Sequence, residues 1–273
     1  MPIKLFLKET KRSINKYAYL HWGVIFFSGT FSSTHYRQLK DNLKELKKQS
    51  LSSDLKFPVS VLYPCYEDKK DNAGELMLHY FFQDLYVAQQ IYKNRPLRHI
   101  DIGSRVDGFV AHVASYREIE VFDIRPLEIS IPNVKFTQAD LMDLDEKNRE
   151  CTDSISCLHA LEHFGLGRYG DPICFEGYLT GFINIASLLK KGGTLYFSVP
   201  MGEQRIEFHA HRVFSLKHLL HLVSEHYSID SFSYINDNNS FFENINLSDL
   251  SDKEIENNLG CHFGCAIFVL KKK

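Results

Sequence analysis

A chain of 273 residues is long enough for one large core, or for one core with an elaborated flank. With 44% apolar and 24% charged residues it has the composition of an ordinary globular protein, and a formal net charge of -2 argues against bulk nucleic-acid binding. Charge is unevenly placed: residues 1–50 carry ten Lys or Arg against Glu9, Asp41 and Glu45, so the remainder is acidic.

In chain order, residues 17–31 are aromatic-rich but too short, and too broken by His21, Gly23 and Ser28, to span a bilayer. With their basic flank they read either as a segment packed on the domain or as one lying on a membrane surface. Residues 34–50 have the pattern of an amphipathic helix, with Tyr36, Leu39, Leu43 and Leu46 on one stripe and lysines opposite. A second helix is expected over about 73–93, with Leu76, Tyr80, Leu85, Ala88 and Tyr92 inward and Asn94 and Pro96 ending it. The expected division is a basic, helical extension over residues 1–73 and an α/β domain over 74–273.

From there strands and helices alternate. Strands are expected at 97–102, 118–123, 133–137, 153–158, 193–199, 227–234 and 262–270, with helices near 107–115, 172–190 and 215–225. Ser215 suits a helix N-cap, and Ser251 with Glu254 has the spacing of a capping box. Two final strands around a longer excursion imply one antiparallel strand in an otherwise parallel sheet. The expected fold is therefore α/β: a Rossmann-like, seven-stranded, mostly parallel sheet with one antiparallel strand, helices on both faces and an N-terminal helical extension. Six cysteines without paired spacing, and no secretory leader, suggest a reduced, cytoplasmic setting.

Three acids fall at successive strand ends. Asp101 and Gly103 follow the first strand, with Ser104 beside them; Asp123 closes the second; Asp140, next to Leu141, ends the third. Ligands of open α/β sheets collect at such ends. There Gly103 admits a ligand close to the backbone, Asp101 suits a cationic amino group, Asp123 the hydroxyls of a ribose, and Asp140 an adenine amino group. Taken singly, each acid reads equally as a surface or capping residue. After the fourth strand, His159, Glu162 and His163 have the spacing to share one side, and His209 and His211 follow the fifth strand. These histidines read as acid/base machinery, as metal ligands, or as partners of helix ends and loop carbonyls. Residues 165–171, rich in glycine, form either a lid that offers Arg168 to an anionic group or a plain connecting loop.

At these residues the chain resembles a class I S-adenosylmethionine-dependent methyltransferase, from about residue 74 to the C-terminus. The family's acid-x-Gly-x-Gly-x-Gly loop falls on residues 101–107, where Arg105 and Asp107 replace the second and third glycines and Gly108 is displaced by one. More narrowly, residues 79–84, 101–109, 158–171 and 210–213 resemble a methyltransferase-like family associated with bacterial surface-polysaccharide synthesis. The resemblance implies S-adenosylmethionine as cofactor, held by Asp101, Gly103, Ser104, Asp123, Asp140 and Leu141, and O-methylation of a sugar or glycan precursor. His211 would be the base, with Glu162 and His163 orienting it or the acceptor. In a metal-dependent version, His159, Glu162, His163 and His211 would ligate a divalent ion. The spacing of His159, Glu162 and His163 with a later histidine is also similar to metal-dependent sugar-hydroxyl methyltransferases acting on RNA ends. Expected partners are a small-molecule or glycan substrate and no nucleic acid, with peripheral contact at the inner membrane face through the basic N-terminus. Two rivals stand beside this reading: a non-catalytic cofactor-binding scaffold of a glycan-assembly complex, and a nicotinamide-linked oxidoreductase, against which the absence of Gly-x-Gly-x-x-Gly counts.

Overall fold

The computed structural model describes residues 33–52, 78–144 and 148–273. The aromatic segment 17–31 and the expected helical start at 73–77 lie outside the described residues. Among the described residues no helix is long and apolar enough to cross a membrane. The chain divides into two units, residues 1–75 and 76–273. In the first, α1 (Ser33–Leu51) half-buries Leu39 and Leu43, while Leu46 and the lysines 40, 44, 47 and 48 are exposed.

The second unit begins with α2 (Leu78–Asn94), then β1 (His99–Ile102), α3 (Phe109–Ala114), β2 (Ile119–Asp123), β3 (Val134–Gln138) and β4 (Thr152–Leu158). A single 3-10 turn, Leu161–His163, precedes α4 (Gly177–Leu188) and β5 (Leu189–Met201). A small ribbon of β6 (Arg205–Glu207) and β7 (His211–Val213) follows, then α5 (Leu216–His226), β8 (Tyr227–Ile235), β9 (Phe241–Phe242), α6 (Asp252–Glu256) and β10 (Gly264–Lys272).

One sheet has the order β3-β2-β1-β4-β5-β10-β8-β9. Strands β1 to β5 are parallel to their neighbours, and β10 lies antiparallel between β5 and β8. The sheet thus has eight strands rather than seven: the two-residue β9, too short to show a periodic pattern, adds a second antiparallel edge. Ser215 does cap α5 through a bond from His218 N, and Ser251 with Glu254 closes the capping box of α6.

Alternation along the central strands sends side chains to two cores. Ile100, Ile155, Phe197 and Phe268 pack with Phe182 of α4 and Leu219 of α5, whereas Val121, Tyr196 and Ile267 pack with Val87 and Ile91 of α2 and Val110 of α3. The face of α2 differs from the expected stripe. Tyr80, Leu85 and Tyr92 are 51%, 38% and 57% exposed, while His79, Gln83, Tyr86, Val87 and Ile91 turn inward. Polar partners on the sheet decide this: Gln83 Oε1 accepts from Ser198 Oγ at 2.5 Å, so two polar positions sit on the buried side.

Phe268 is fully buried between Phe232 (ring centroids 4.8 Å apart) and Phe197 (6.4 Å). Phe268→Ala is expected to lower unfolding free energy by about 3–5 kcal/mol in a denaturant titration. A loss below about 1 kcal/mol would contradict this packing.

Candidate functional site

A cleft opens at the carboxyl ends of the first strands. Its floor is Ile102 and Gly103 after β1, and residues 122–125 and 139–142 flank it after β2 and β3. His159, Ala160, His163 and Phe164 form the wall after β4, and Tyr169 and Asp171 arrive from the glycine-rich loop. Gly103 has φ +72°, and a Cβ there would stand 3.1 Å from Ala160 Cβ, so only glycine keeps the floor open without strain.

Of the expected cofactor residues, Gly103, Asp123, Asp140 and Leu141 line this cleft. Asp101 and Ser104 do not. Asp101 is fully buried, where its Oδ1 accepts from Ser104 Oγ (2.9 Å) and Ser156 Oγ (2.5 Å) and its Oδ2 from Ser104 N (3.1 Å). It shapes the loop from behind rather than meeting a cationic ligand, because it is fully buried and three bonds hold it against Ser104 and Ser156. Arg105, at the position of the second glycine, forms a forked, exposed pair with Asp107 (2.7 and 3.0 Å), away from the cleft.

Asp123 is held by Arg125: Nη2 reaches Oδ2 at 2.6 Å, and Nε and the backbone N reach Oδ1 at 3.0 and 2.8 Å. The Arg125 guanidinium also covers the Tyr169 ring at 4.4 Å. Asp140 Oδ1 accepts from Met142 N (2.8 Å), and Leu141 O accepts from Asn184 of α4 (2.8 Å), which pins the segment after β3.

His159 adopts φ +49°, an uncommon region for a non-glycine residue. That bend lets Nδ1 donate to Glu162 Oε1 at 2.9 Å. Burial works against a charged His159, but the Cys265 sulfur and the Glu162 carboxylate outweigh it and raise its pKa well above the ordinary value. Burial likewise opposes the Glu162 carboxylate, yet the His159 bond and charge hold its pKa below the usual range. Glu162 Oε2 is buried without a hydrogen-bond partner. His163 Nδ1 donates to Ala210 O (2.7 Å), and its Nε2 lies 3.8 Å from Glu162 Oε1. Burial lowers the His163 pKa despite Glu162, so its imidazole is neutral near pH 7.

His211 stands behind His163, with ring centroids 6.4 Å apart, and does not line the cleft. Its Nε2 faces Glu207 at 3.2 Å. The metal set of His159, Glu162, His163 and His211 is not assembled: Nδ1 of His163 is taken by a carbonyl and His211 is turned to Glu207. Arg168 donates to Ala210 O (3.0 Å) rather than reaching into the cleft, and Asp171 accepts from Gly167 N and Tyr169 N, so the glycine-rich loop is braced. Buried Arg212 completes the bracing through bonds to Phe164 O (2.6 Å) and Phe175 O (3.0 Å).

The sequence reading assigned no chemistry to His79, Gln83, Asp84 or Cys265. All four are buried where α2 meets the sheet. The usable signal was the pair His79 and Gln83, one turn apart on a helix that otherwise shows an apolar stripe.

The family model described as Caenorhabditis protein of unknown function, DUF268, matches residues 121–272. The chain belongs to that family. The family's region starts within β2 and runs through β10, so it takes in the acids after β2 and β3, the His159–Glu162 turn and Cys265, but not the floor glycine. A trigger factor of Pseudoalteromonas atlantica is 30% identical over 122 residues, 41% of this chain and 28% of that protein, so the chain spans about a quarter of that relative's length. Among solved structures, the N-methyltransferase NodS of Bradyrhizobium japonicum, in complex with S-adenosyl-l-homocysteine, aligns at 13% identity over 70% of this chain and 87% of its own, with TM-score 0.44. A Burkholderia thailandensis 1,6-didemethyltoxoflavin-N1-methyltransferase aligns at 12% identity over 90% and 92%, with TM-score 0.47.

Burial pushes the Asp101 carboxyl up to about 7. In the unfolded chain it ionises near 4, so the folded state holds an extra proton between about 4 and 7 and stability falls as pH rises through that window. Asp101→Asn, which keeps an acceptor for Ser104 N, is expected to gain in melting temperature relative to the parent between pH 5 and pH 8. An equal difference between the two proteins at both pH values would refute the shift.

Proposed function

We propose that this chain is an S-adenosylmethionine-dependent methyltransferase acting on a hydroxyl acceptor. The observation that carries the reading is a single cleft in which the Gly103 floor after β1, Asp123 after β2 and Asp140 after β3 come together, in a sheet whose last long strand is antiparallel. The residues fit such a cofactor: the missing Cβ at Gly103 leaves room for a ligand against the backbone, and the two acids offer acceptors at the separate ends of a nucleoside. Asp123 would take the ribose hydroxyls once Arg125 releases it, and Asp140 with Leu141 the adenine edge. When bound, the cofactor supplies an electrophilic methyl group on its sulfonium.

The protein's own task is then to align the acceptor and remove its proton. His163 suits this better than His211. Its Nδ1–H is fixed on Ala210 O, which leaves the Nε2 lone pair at the cleft wall, and its lowered pKa keeps it neutral. We favour a sugar hydroxyl of a bacterial surface glycan or its activated precursor, a choice supported by the sequence strings at 79–84, 158–171 and 210–213. In the same reading the enzyme is cytoplasmic, and the exposed lysines of α1 give it a contact with an anionic membrane surface. The second reading, a non-catalytic cofactor-binding scaffold, is favoured by Arg105 and Asp107 in place of loop glycines and by the engaged Asp123 carboxylate.

Calorimetric titration with S-adenosylmethionine and S-adenosylhomocysteine tests the cofactor. Charge-assisted bonds contribute about 1.5–3 kcal/mol, so Asp123→Ala is expected to weaken binding roughly 10- to 100-fold. Unchanged affinity sinks the ribose assignment, and no binding by the parent sinks the whole proposal.

Activity needs a separate variant. His163→Asn is expected to slow methyl transfer by about 10²- to 10⁴-fold while leaving S-adenosylhomocysteine affinity intact. Cofactor binding by the parent without turnover on glycan acceptors would favour the scaffold.

A further inference from the structure

On the α2 side of the cleft wall, three side chains from distant parts of the sequence converge. His79 lies in the first turn of α2, His159 follows β4, and Cys265 is the second residue of β10. One ligand atom from each lies within 4.8 Å of the other two, and all three side chains are buried. It is the one such group of three or more His, Cys, Asp or Glu among the described residues.

We propose that His79, His159 and Cys265 form a binding site for a borderline divalent cation of the zinc type, with Glu162 as the outer partner that orients His159. Two imidazole nitrogens and one thiolate are a donor set that such ions prefer, and three protein ligands leave a fourth position free. Three features support the site. The side chain of His159 is only 6% exposed, yet its Nε2 has no hydrogen-bond partner. Its other nitrogen donates to Glu162 Oε1 at 2.9 Å, the carboxylate–histidine arrangement that fixes the tautomer of metal-binding imidazoles. The surroundings are dry and preformed: Phe263 stacks on His79 (5.8 Å) and Tyr80 covers His159 (5.2 Å). Asp237 secures the Phe263 loop by accepting from His262 N and Phe263 N, both at 2.8 Å.

Tetrahedral zinc with nitrogen and sulfur ligands sets donor atoms roughly 3.3–3.6 Å apart. From separations of up to 4.8 Å the site therefore needs to contract by at most about 1.2–1.5 Å per pair, a side-chain adjustment. On binding, the Cys265 S–H and the His159 Nε2–H bonds give way to bonds to the metal, and both protons leave to solvent. The fourth position lies near Gln83, whose Oε1 is 3.7 Å from the Cys265 sulfur. The site does not depend on the methyltransferase reading, since its ligands are defined without reference to any cofactor.

The test uses the full, untagged chain, stripped with a chelator and titrated with Zn²⁺ or Co²⁺ alone. Elemental analysis is expected to give one zinc per chain, and cobalt a thiolate charge-transfer band. Cys265→Ser is expected to abolish that band and weaken metal binding by about 100-fold, whereas the exposed Cys174→Ser leaves both unchanged. Should Cys265→Ser fail to fold, His79→Ala, at the end of a helix, is expected to keep the parent's circular dichroism and lose at least tenfold in zinc affinity. Folded parent protein that takes up no metal, a band that survives Cys265→Ser, or a His79→Ala variant of parental affinity overturns the site.

Discussion

The carboxyl group of Asp101 holds the loop from which the cleft is built. Its three protein bonds tie Ser104 of the loop after β1 to Ser156 of β4, and Ser156 in turn meets His99 Nε2 at 3.1 Å. Neither end of this line reaches the cleft, yet it fixes where Gly103 turns. Burial raises the pKa of this carboxyl to about 7, against the pull of the three bonds it accepts, each of which favours the anion. A second polar line runs parallel to it on the same face, from Ser198 through Gln83 to Asp84. Together they account for a helix that packs on a sheet through polar as well as apolar contacts.

Strand and helix positions were legible because their periods are strong: the observed strands β1, β2, β3, β4, β8 and β10 begin and end within two residues of expectation. Strand β5 is legible only in its apolar half, because the helical pattern runs on to Lys190 and Gly192 and Gly193 suit a turn, whereas Leu189 already pairs with Thr152. The face of α2 was misread for a different reason. Apolar residues mark a buried stripe only when the opposing surface is apolar, and here Ser198 bonds Gln83 while His159 and Phe263 stack on His79.

The cleft itself shows the same division. Gly103, Asp123 and Asp140 could be placed because strand ends converge by topology, which sequence order alone constrains. That Asp101 would sit behind the loop, and that Arg125 would take the Asp123 carboxylate, depends on which rotamers meet across strands, a matter that no spacing rule encodes. His159 and Glu162 do meet, although a 3-10 turn rather than a helix brings this about. His211 was over-weighted because its strand alternation aims it toward the wall, whereas Glu207, its partner across the small ribbon, draws it away.

His159 links the two sites. With Nδ1–H committed to Glu162, its other nitrogen faces His79 and Cys265. Either a proton or a divalent cation at Nε2 keeps the Nδ1–H bond in place, so both hold Glu162 in the same orientation. They differ in charge and in pH dependence: a proton there leaves as pH rises, while a cation bound to a thiolate becomes firmer. Positive charge on His159 lowers the pKa of His163, the group that faces the cleft with a free nitrogen. Either occupant of Nε2 therefore leaves Glu162 turned toward His159 on the 2.9 Å bond.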